Sequence, residues 1–308
     1  MVLSFPSPGA FGQSVLQRRR ALAPQVPLVV VEGPSDRRAI LPFLNPQAVV
    51  IPARGKPNAL AAYDSVSAAG VGAVLVVIDC DGDTPKALKG RDGLIISDGR
   101  DLEADLLFQL DAFHRVAIEM LAGVFESRAE IVACAEAILR RSVATASRLH
   151  YVRSAANELR VPSRIYDQAI AQRRRVLPVD IVGLPESVYG QSGLPRLHDI
   201  AVLLGVTLGW TAEQVALVSE RARVSASERC APHNSIDCQT CARSRSCNGH
   251  DLVGLLAAGV SWFGRAAVTE NDVARSIRMA SDRSLLDRWS LYRRARPWAD
   301  RSGVALFS

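Results

Sequence analysis

Over its first hundred residues the chain alternates short, wholly apolar runs with longer stretches of helical spacing. Val29-Val30-Val31 and Val74-Leu75-Val76-Val77-Ile78 are rich in β-branched residues and too short for helices. Runs of that kind read as buried parallel strands. The pattern predicts strands over 28–32, 47–51, 73–79 and 93–97. Between them, Gly33 makes a turn and Pro34 takes the first position of a helix running to Phe43. Arg54-Gly55-Lys56-Pro57-Asn58 opens a second helix, which Gly70 stops after Ala69. Asp81 to Arg91 reads as a loop, and Leu102 to Val124 as a further helix. Regular alternation of strand and helix argues an α/β fold, a parallel sheet flanked by helices.

The flanking regions read differently. Residues 1–26 hold several Pro and Gly and read as loop with one short helix, Ser14 to Ala23. Beyond residue 100 strands cease. Helical spacing recurs over Ser127 to His150, Ser163 to Arg175, Thr211 to Arg223, Asp251 to Phe263, Glu270 to Ala280 and Ser284 to Arg294. No internal repeat is present. The expected organisation is an N-terminal segment (1–26), an α/β domain (27–125) and a mainly α-helical region (126–308) with a cysteine-rich insertion at about 230–250.

The first and third apolar runs both end in carboxylates. In open α/β sheets, ligands bind beyond the carboxyl ends of the strands. Strands one and three would deliver Glu32, Asp79, Asp81 and Asp83 to one rim. Carboxylates so crowded repel one another unless a cation lies between them, and hard oxygen ligands select Mg²⁺ or Mn²⁺. One or two such ions activate water and stabilise a leaving oxygen in phosphodiester cleavage. In this reading Glu32 orients or deprotonates the water. Asp79 and Asp81 hold the first ion, and Asp83 and Glu103 are candidates for a second. Lys56 or Lys86 would steady a phosphate or the transition-state charge, against the simpler reading of both as solvated surface. Asp-x-Asp alone is often only a turn, and Glu-Gly-x-x-Asp alone a helix cap. Asp36 is accordingly read as structural, and Asp98, Asp101 and Asp105 as capping or solvated residues.

Glu32-Gly33-Pro34-Ser35-Asp36 after one strand and Asp79-Cys80-Asp81 after another resemble the layout of a TOPRIM domain, over roughly residues 28–110. The resemblance implies a Glu in acid/base or metal duty and an Asp pair that holds Mg²⁺. With Arg54-Gly55-Lys56-Pro57-Asn58, Asp101-Leu102-Glu103 and Asn248-Gly249-His250-Asp251-Leu252, the chain looks like the short TOPRIM proteins of phage-defence operons. These are encoded beside ABC-type ATPases, as in the PARIS system, and are related to OLD-type nucleases. That resemblance implies a toxic nuclease acting on tRNA or DNA, restrained by a sensor ATPase. Release would allow a homodimer to form, since some nucleases need two sites for two cuts. The competing class is a non-catalytic nucleic-acid-binding mediator of recombination. In those mediators the zinc element precedes the TOPRIM domain, whereas here the cysteines follow it.

Six cysteines are present, four of them within Cys230-Ala231-Pro232-His233 to Cys247. Cys238 and Cys241 form a Cys-x-x-Cys knuckle, Cys247 is the expected third ligand, and the fourth is Cys230 or His233. The set reads as a structural Zn²⁺ site with its four positions filled by protein. A redox dithiol is the alternative. His250 reads either as a further ligand or as the cap of the helix opening at Asp251. Arg243 and Arg245 lie inside the knuckle.

With 48% hydrophobic and 22% charged residues, the composition is that of a soluble globular protein. No apolar run nears the roughly 20 residues that span a bilayer. Met1 to Ala10 lacks the basic start and apolar stretch of a secretion signal, so a cytoplasmic location is expected. The net charge of +6 suits a polyanionic partner. Each Arg cluster (Arg18-Arg19-Arg20, Arg173-Arg174-Arg175 and Arg293-Arg294-Ala295-Arg296) reads on its own as a solvated helix face.

Overall fold

A computed structural model describes residues 7–80, 88, 90–99, 101–161, 196–230, 247–263 and 268–308. The chain divides into two compact units, residues 1–112 with 281–308, and residues 113–280.

The first unit is built on a four-stranded parallel sheet of order β2-β1-β3-β4: β1 Leu28–Val31, β2 Val49–Pro52, β3 Val74–Ile78 and β4 Leu94–Ile96. β1, β3 and β4 lie inside the spans that the apolar pattern predicts, and β2 runs one residue beyond its predicted span of 47–51. Every residue of β1 and β3 is buried, as befits central strands covered on both faces, while β2 at the edge is half-buried. The helices that precede and join the strands are α1 Pro8–Ala21, α2 Pro34–Ile40 and α3 Lys56–Ala68. Val30, Val76 and Ile78 of the sheet pack with Val15 of α1 and Ala59, Ala62 and Val66 of α3 in one apolar cluster. At about 25 cal/mol per Å² of apolar surface, such burial is what holds a sheet of this size.

α1 begins earlier than the sequence pattern suggests, because Ser7 caps it and Pro8 fits its first turn. It lies close on α3. A Cβ built on Gly12 would stand 2.4 Å from the Ser65 hydroxyl oxygen and 2.6 Å from the Ala61 carbonyl oxygen. At the other end of α1, Arg19 is buried rather than solvated. Its guanidinium donates to the carbonyls of Gly72 (3.0 Å), Ala23 (3.2 Å), Pro24 (2.9 Å) and Val26 (3.0 Å). One side chain thus satisfies four carbonyls of the loops that lead into β1 and β3.

The helix expected over 102–124 is two helices, α4 Leu102–Gln109 and α5 Ala112–Leu121. Asp111 between them has φ +53°, a left-handed conformation that Asp tolerates and that ends a helix. The first unit therefore stops at 112 rather than 125.

The second unit is helical: nearly all of α5, then α6 Arg128–Glu158, α7 Leu197–Leu208, α8 Ala212–Cys230, α9 Gly249–Phe263 and α10 Glu270–Ala280. Its core joins Leu149 and Val152 of α6, Ile200 and Leu204 of α7, and Val218 and Ala222 of α8. The apolar pattern had not marked α7. The helix expected over Ser163 to Arg175 and the cluster Arg173-Arg174-Arg175 lie outside the described residues. No helix among the described residues is long and apolar enough to cross a membrane.

Residues 281–308 belong with the first unit and not with the helical region to which sequence order assigns them. The helix expected over Ser284 to Arg294 is instead a 3₁₀ turn, Arg283–Arg288, followed by α11 Ser290–Ser302. Trp289 between them is fully buried edge-on against Phe43, with ring centroids 5.1 Å apart. The Ser290 N–H donates to Gln109 Oε1 at 2.7 Å, and Asn45 N–H to the Leu306 carbonyl at 2.8 Å.

The close approach at Gly12 yields a signed prediction. Gly12→Ala forces α1 off α3 and should cost about 1–3 kcal/mol in urea denaturation followed by circular dichroism. Gly9→Ala on the same helix meets nothing within 4 Å and should be neutral or slightly stabilising. Equal midpoints for the two variants would refute the packing argument.

Candidate functional site

β1 and β3 are parallel neighbours paired Val31 to Val77. The residue that follows β1, Glu32, therefore emerges beside the end of β3. The Asp79 backbone N–H donates to Glu32 Oε1 at 2.8 Å. The loop after β2 is tied to the same place: Ala53 N–H donates to the Val31 carbonyl at 2.7 Å and Gly55 N–H to the Glu32 carbonyl at 2.9 Å. Arg54 (φ +63°) and Gly55 (φ +128°) make the turn that allows it. Lys56, the first residue of α3, then sets its Nζ 3.8 Å from Glu32 Oε1. Three elements thus bring Glu32, Asp79 and Lys56 together at the carboxyl end of the sheet.

More carboxylates surround them. Asp36, in the first turn of α2, accepts the Gly33 N–H at 2.7 Å and is buried. Asp101 caps α4 by accepting the Ala104 N–H at 2.9 Å, and Glu103 follows in that turn; both are buried. Ser97, just past β4, accepts the Cys80 N–H at 3.0 Å and donates to the Gly99 carbonyl at 2.8 Å, linking the ends of β3 and β4. Asp105 is only 1% exposed; its Oδ1 accepts the Gly99 N–H at 2.7 Å and Gln109 Nε2 at 2.9 Å, while Oδ2 is buried with no hydrogen bond among the described residues.

These groups feel one another. Burial pushes the Asp79 carboxyl up to about 10, and the charges of Asp36, Asp101, Glu32 and Glu103 add to it. Asp36 rises to about 7 through burial and the Glu103 charge; the Gly33 N–H opposes this, and Glu32 and Asp101 add smaller contributions. Asp105 also rises to about 7, mainly through burial, with the Gly99 N–H opposing and Asp98 and Asp101 adding to the rise. Five carboxylates therefore share one field, and such a rim takes up either protons or cations.

Glu32, Asp79 and Lys56, singled out from the sequence, meet directly, and Glu103 joins them through the field it exerts on Asp36 and Asp79. Asp81, Asp83 and Lys86 lie outside the described residues. Sequence reasoning undervalued Asp36 and Asp101, which perform the backbone caps expected of them and also belong to the acidic group. Their position was the available signal: Asp36 lies one helical turn past Glu32, and Asp101 two residues before Glu103. Asp105 is neither a cap nor solvated, whereas Asp98 is exposed and ion-paired to Arg294 at 3.0 Å.

The donors are of the hard-oxygen kind that Mg²⁺ or Mn²⁺ takes. Among the described residues no three His, Cys, Asp or Glu side chains are grouped as a ready-made metal site. Glu32 Oε1 is turned to the Asp79 N–H and Lys56, and Asp36 and Asp101 are turned to backbone amides. Asp79 carries oxygens of the same kind.

Of the zinc candidates, His233, Cys238 and Cys241 and the side chain of Cys230 lie outside the described residues. So do Arg243 and Arg245. Cys247 is buried, its Sγ 3.5 Å from the Val143 carbonyl oxygen. His250 does not cap α9. Asn248 does, its Oδ1 accepting the N–H of His250 at 3.0 Å and of Asp251 at 3.4 Å. Asp251 is ion-paired to Arg153.

No protein-family model, no curated protein and no solved structure matches the chain.

The raised carboxyls set a pH dependence. A carboxyl whose folded pKa lies above its ordinary 3.8 keeps a proton that the unfolded chain has released. Stability of the metal-free protein therefore falls as pH rises from about 4 to about 7 through Asp36 and Asp105, and further through Asp79. In chelator, the melting temperature should be lower at about pH 8 than at about pH 5. Asp105→Asn, which removes one such charge and keeps an oxygen for Gly99, should flatten that slope. Parallel slopes for the two proteins would show Asp105 to be uninvolved.

Proposed function

We propose that the chain is a Mg²⁺- or Mn²⁺-dependent TOPRIM nuclease cleaving phosphodiesters of tRNA or DNA. What supports this reading is the meeting of Glu32, Asp79 and Lys56 at the carboxyl end of a parallel sheet, with Asp36, Asp101 and Glu103 in the same field. One bound divalent ion would supply charge neutralisation and a more acidic water. Asp79, with Asp81 and Asp83 beyond it in sequence, would hold that ion, and Glu103 would serve a second. Glu32 receives the proton of the attacking water. The Asp79 N–H and the Lys56 ammonium orient its carboxylate, and Lys56 also lies within reach of a phosphate oxygen.

The same proposal carries the biological role that the sequence motifs imply. The nuclease is the toxic effector of an antiphage system, held inactive by an ABC-type ATPase and released on infection. Cys238, Cys241, Cys247 and one of Cys230 and His233 hold a structural Zn²⁺ in the second unit.

Purified protein with Mg²⁺ or Mn²⁺ should cut plasmid DNA or total tRNA, and Glu32→Ala should lose about 100-fold or more of that rate. Equal rates for both proteins would reject the role of Glu32. Absence of cleavage by either would favour the non-catalytic mediator. For the second unit, metal analysis of protein purified without added metal should give about one zinc per chain, lost together with helical signal in Cys238→Ser. Folded protein free of zinc would overturn that site.

A further inference from the structure

At the start of α2 the acid is held inside and the bases stand outside. Asp36, Ala39 and Ile40 are buried, whereas Pro34, Arg37 and Arg38 are exposed. Helical spacing explains the division. Residues three and four apart share a face, so Pro34, Arg37 and Arg38 form the outer face of this helix. The Arg37 N–H donates to the Gly33 carbonyl at 3.1 Å, one turn beyond the residue that follows Glu32. At about 1.5 Å of rise per residue, both arginines stem from within about 6 Å of the helix's first residue, measured along its axis.

Neither guanidinium is engaged. Among the described residues no ion pair, hydrogen bond or ring contact involves the side chain of Arg37 or Arg38. Asp36, beside them in sequence, is turned inward to the Gly33 N–H at 2.7 Å. Other cations around the rim are already bound. Lys56 Nζ stands 3.8 Å from Glu32 Oε1. At the far edge of the sheet, where α11 packs on β4, Arg294 binds Asp98 at 3.0 Å and the Ser290 carbonyl at 3.2 Å. The α2 side of the rim therefore carries uncompensated positive charge, and Arg294 on the β4 side is neutralised.

A nucleic-acid strand needs such an approach. A phosphodiester brought to Glu32 and Asp79 enters the field of Asp36, Asp101 and Glu103 as well. A bound divalent ion offsets that field only at the phosphate it touches. The next phosphates along the strand need cations of their own. Exposed guanidinium groups that are tied to nothing meet them without first breaking a pair, and their planar forks match phosphate oxygens.

We propose that Arg37 and Arg38 hold the phosphates next to the cleaved one, so that the substrate strand leaves the rim over α2. This helix joins β1 to β2 and packs on β2, so the strand departs on the β2 side of the sheet and not over β4. The inference deepens the nuclease reading and rests on it for the phosphate that lies at Glu32. Arg37 and Arg38 bind substrate and take no part in proton transfer.

Anisotropy titrations with labelled single-stranded DNA and with labelled tRNA, in Mg²⁺ and rising KCl, test this on Glu32→Gln protein, in which cleavage is removed. For the nucleic acid that binds, adding Arg37→Gln or Arg38→Gln should weaken binding about five- to eightfold near 0.1 M salt. Each should also lower the slope of log K against log salt by about 0.7–0.9. Melting temperatures should stay level, since both side chains are exposed and unpaired. Arg20→Gln removes the same charge from the exposed end of α1, beside the loops that lead into β1 and β3, and should change neither affinity nor slope. With Glu32 intact, Arg37→Gln and Arg38→Gln together should raise KM at nearly constant kcat. Equal losses for Arg20→Gln and the α2 variants would reveal a general effect of net charge and overturn the proposal. Unchanged slopes in both α2 variants, or no binding of either nucleic acid, would also overturn it, whatever the cleavage rate. Slopes that fall as expected while the wild type cuts neither plasmid DNA nor tRNA would sink the nuclease reading and leave the arginine face as a nucleic-acid surface.

Discussion

Crowding of like charge at the end of a parallel sheet is the constraint on which the first unit turns. Asp36 is buried and Asp79 half-buried in the field of Glu32, Asp101 and Glu103, with Lys56 reaching Glu32. Such a concentration is unfavourable for the folded chain alone at neutral pH, since charged carboxylates out of water repel and are poorly solvated. The backbone supplies part of the relief. Amides of Gly33, Asp79 and Ala104 each donate to one member, and two of these belong to helix starts. Helix N-termini pointing at acids at the carboxyl end of a parallel sheet follow directly from strand-to-helix connection, because every helix begins where a strand has ended. The rest is relieved by protons, which the raised carboxyls of Asp79 and Asp36 hold.

The arginines show how one residue type serves opposite ends. In the run Arg18-Arg19-Arg20 the middle member is buried and ties four carbonyls, and so fixes how the chain enters β1. Arg18 and Arg20, its neighbours in sequence, are exposed, because a helix turns about 100° per residue and carries both of them away from the face that Arg19 occupies. In the second unit Arg148 is again buried, while Arg196 and Arg223 remain in water. A count of basic residues conveys none of this. A positive net charge suggests a polyanionic partner, but the partner of a given guanidinium is decided by which side of its helix it occupies.

Much of the first unit was readable from local pattern. Four apolar runs gave four strands. Glu32 and Asp79 stood at strand ends, where a parallel sheet must bring neighbouring strands' last residues to one edge. The break at Asp111 was not readable, since the apolar spacing of 102–124 continues through it and only the backbone reversal marks it. Nor was the return of residues 281–308, which depends on Trp289 meeting Phe43 and Ser290 meeting Gln109. Contacts between residues so distant in sequence leave no trace in periodicity.

By itself, then, the amino-acid order determined the alternation of strand and helix, the sheet's parallel character and the identity of the acids at its rim. These follow from side-chain branching, from spacing and from the turn preferences of Gly and Pro, all of which act over a few residues. Tertiary structure alone decided strand order, the burial of Asp36, Asp101 and Asp105, and the inward face of Arg19. Burial and electrostatic field are properties of surroundings, and surroundings are assembled only when separate segments pack.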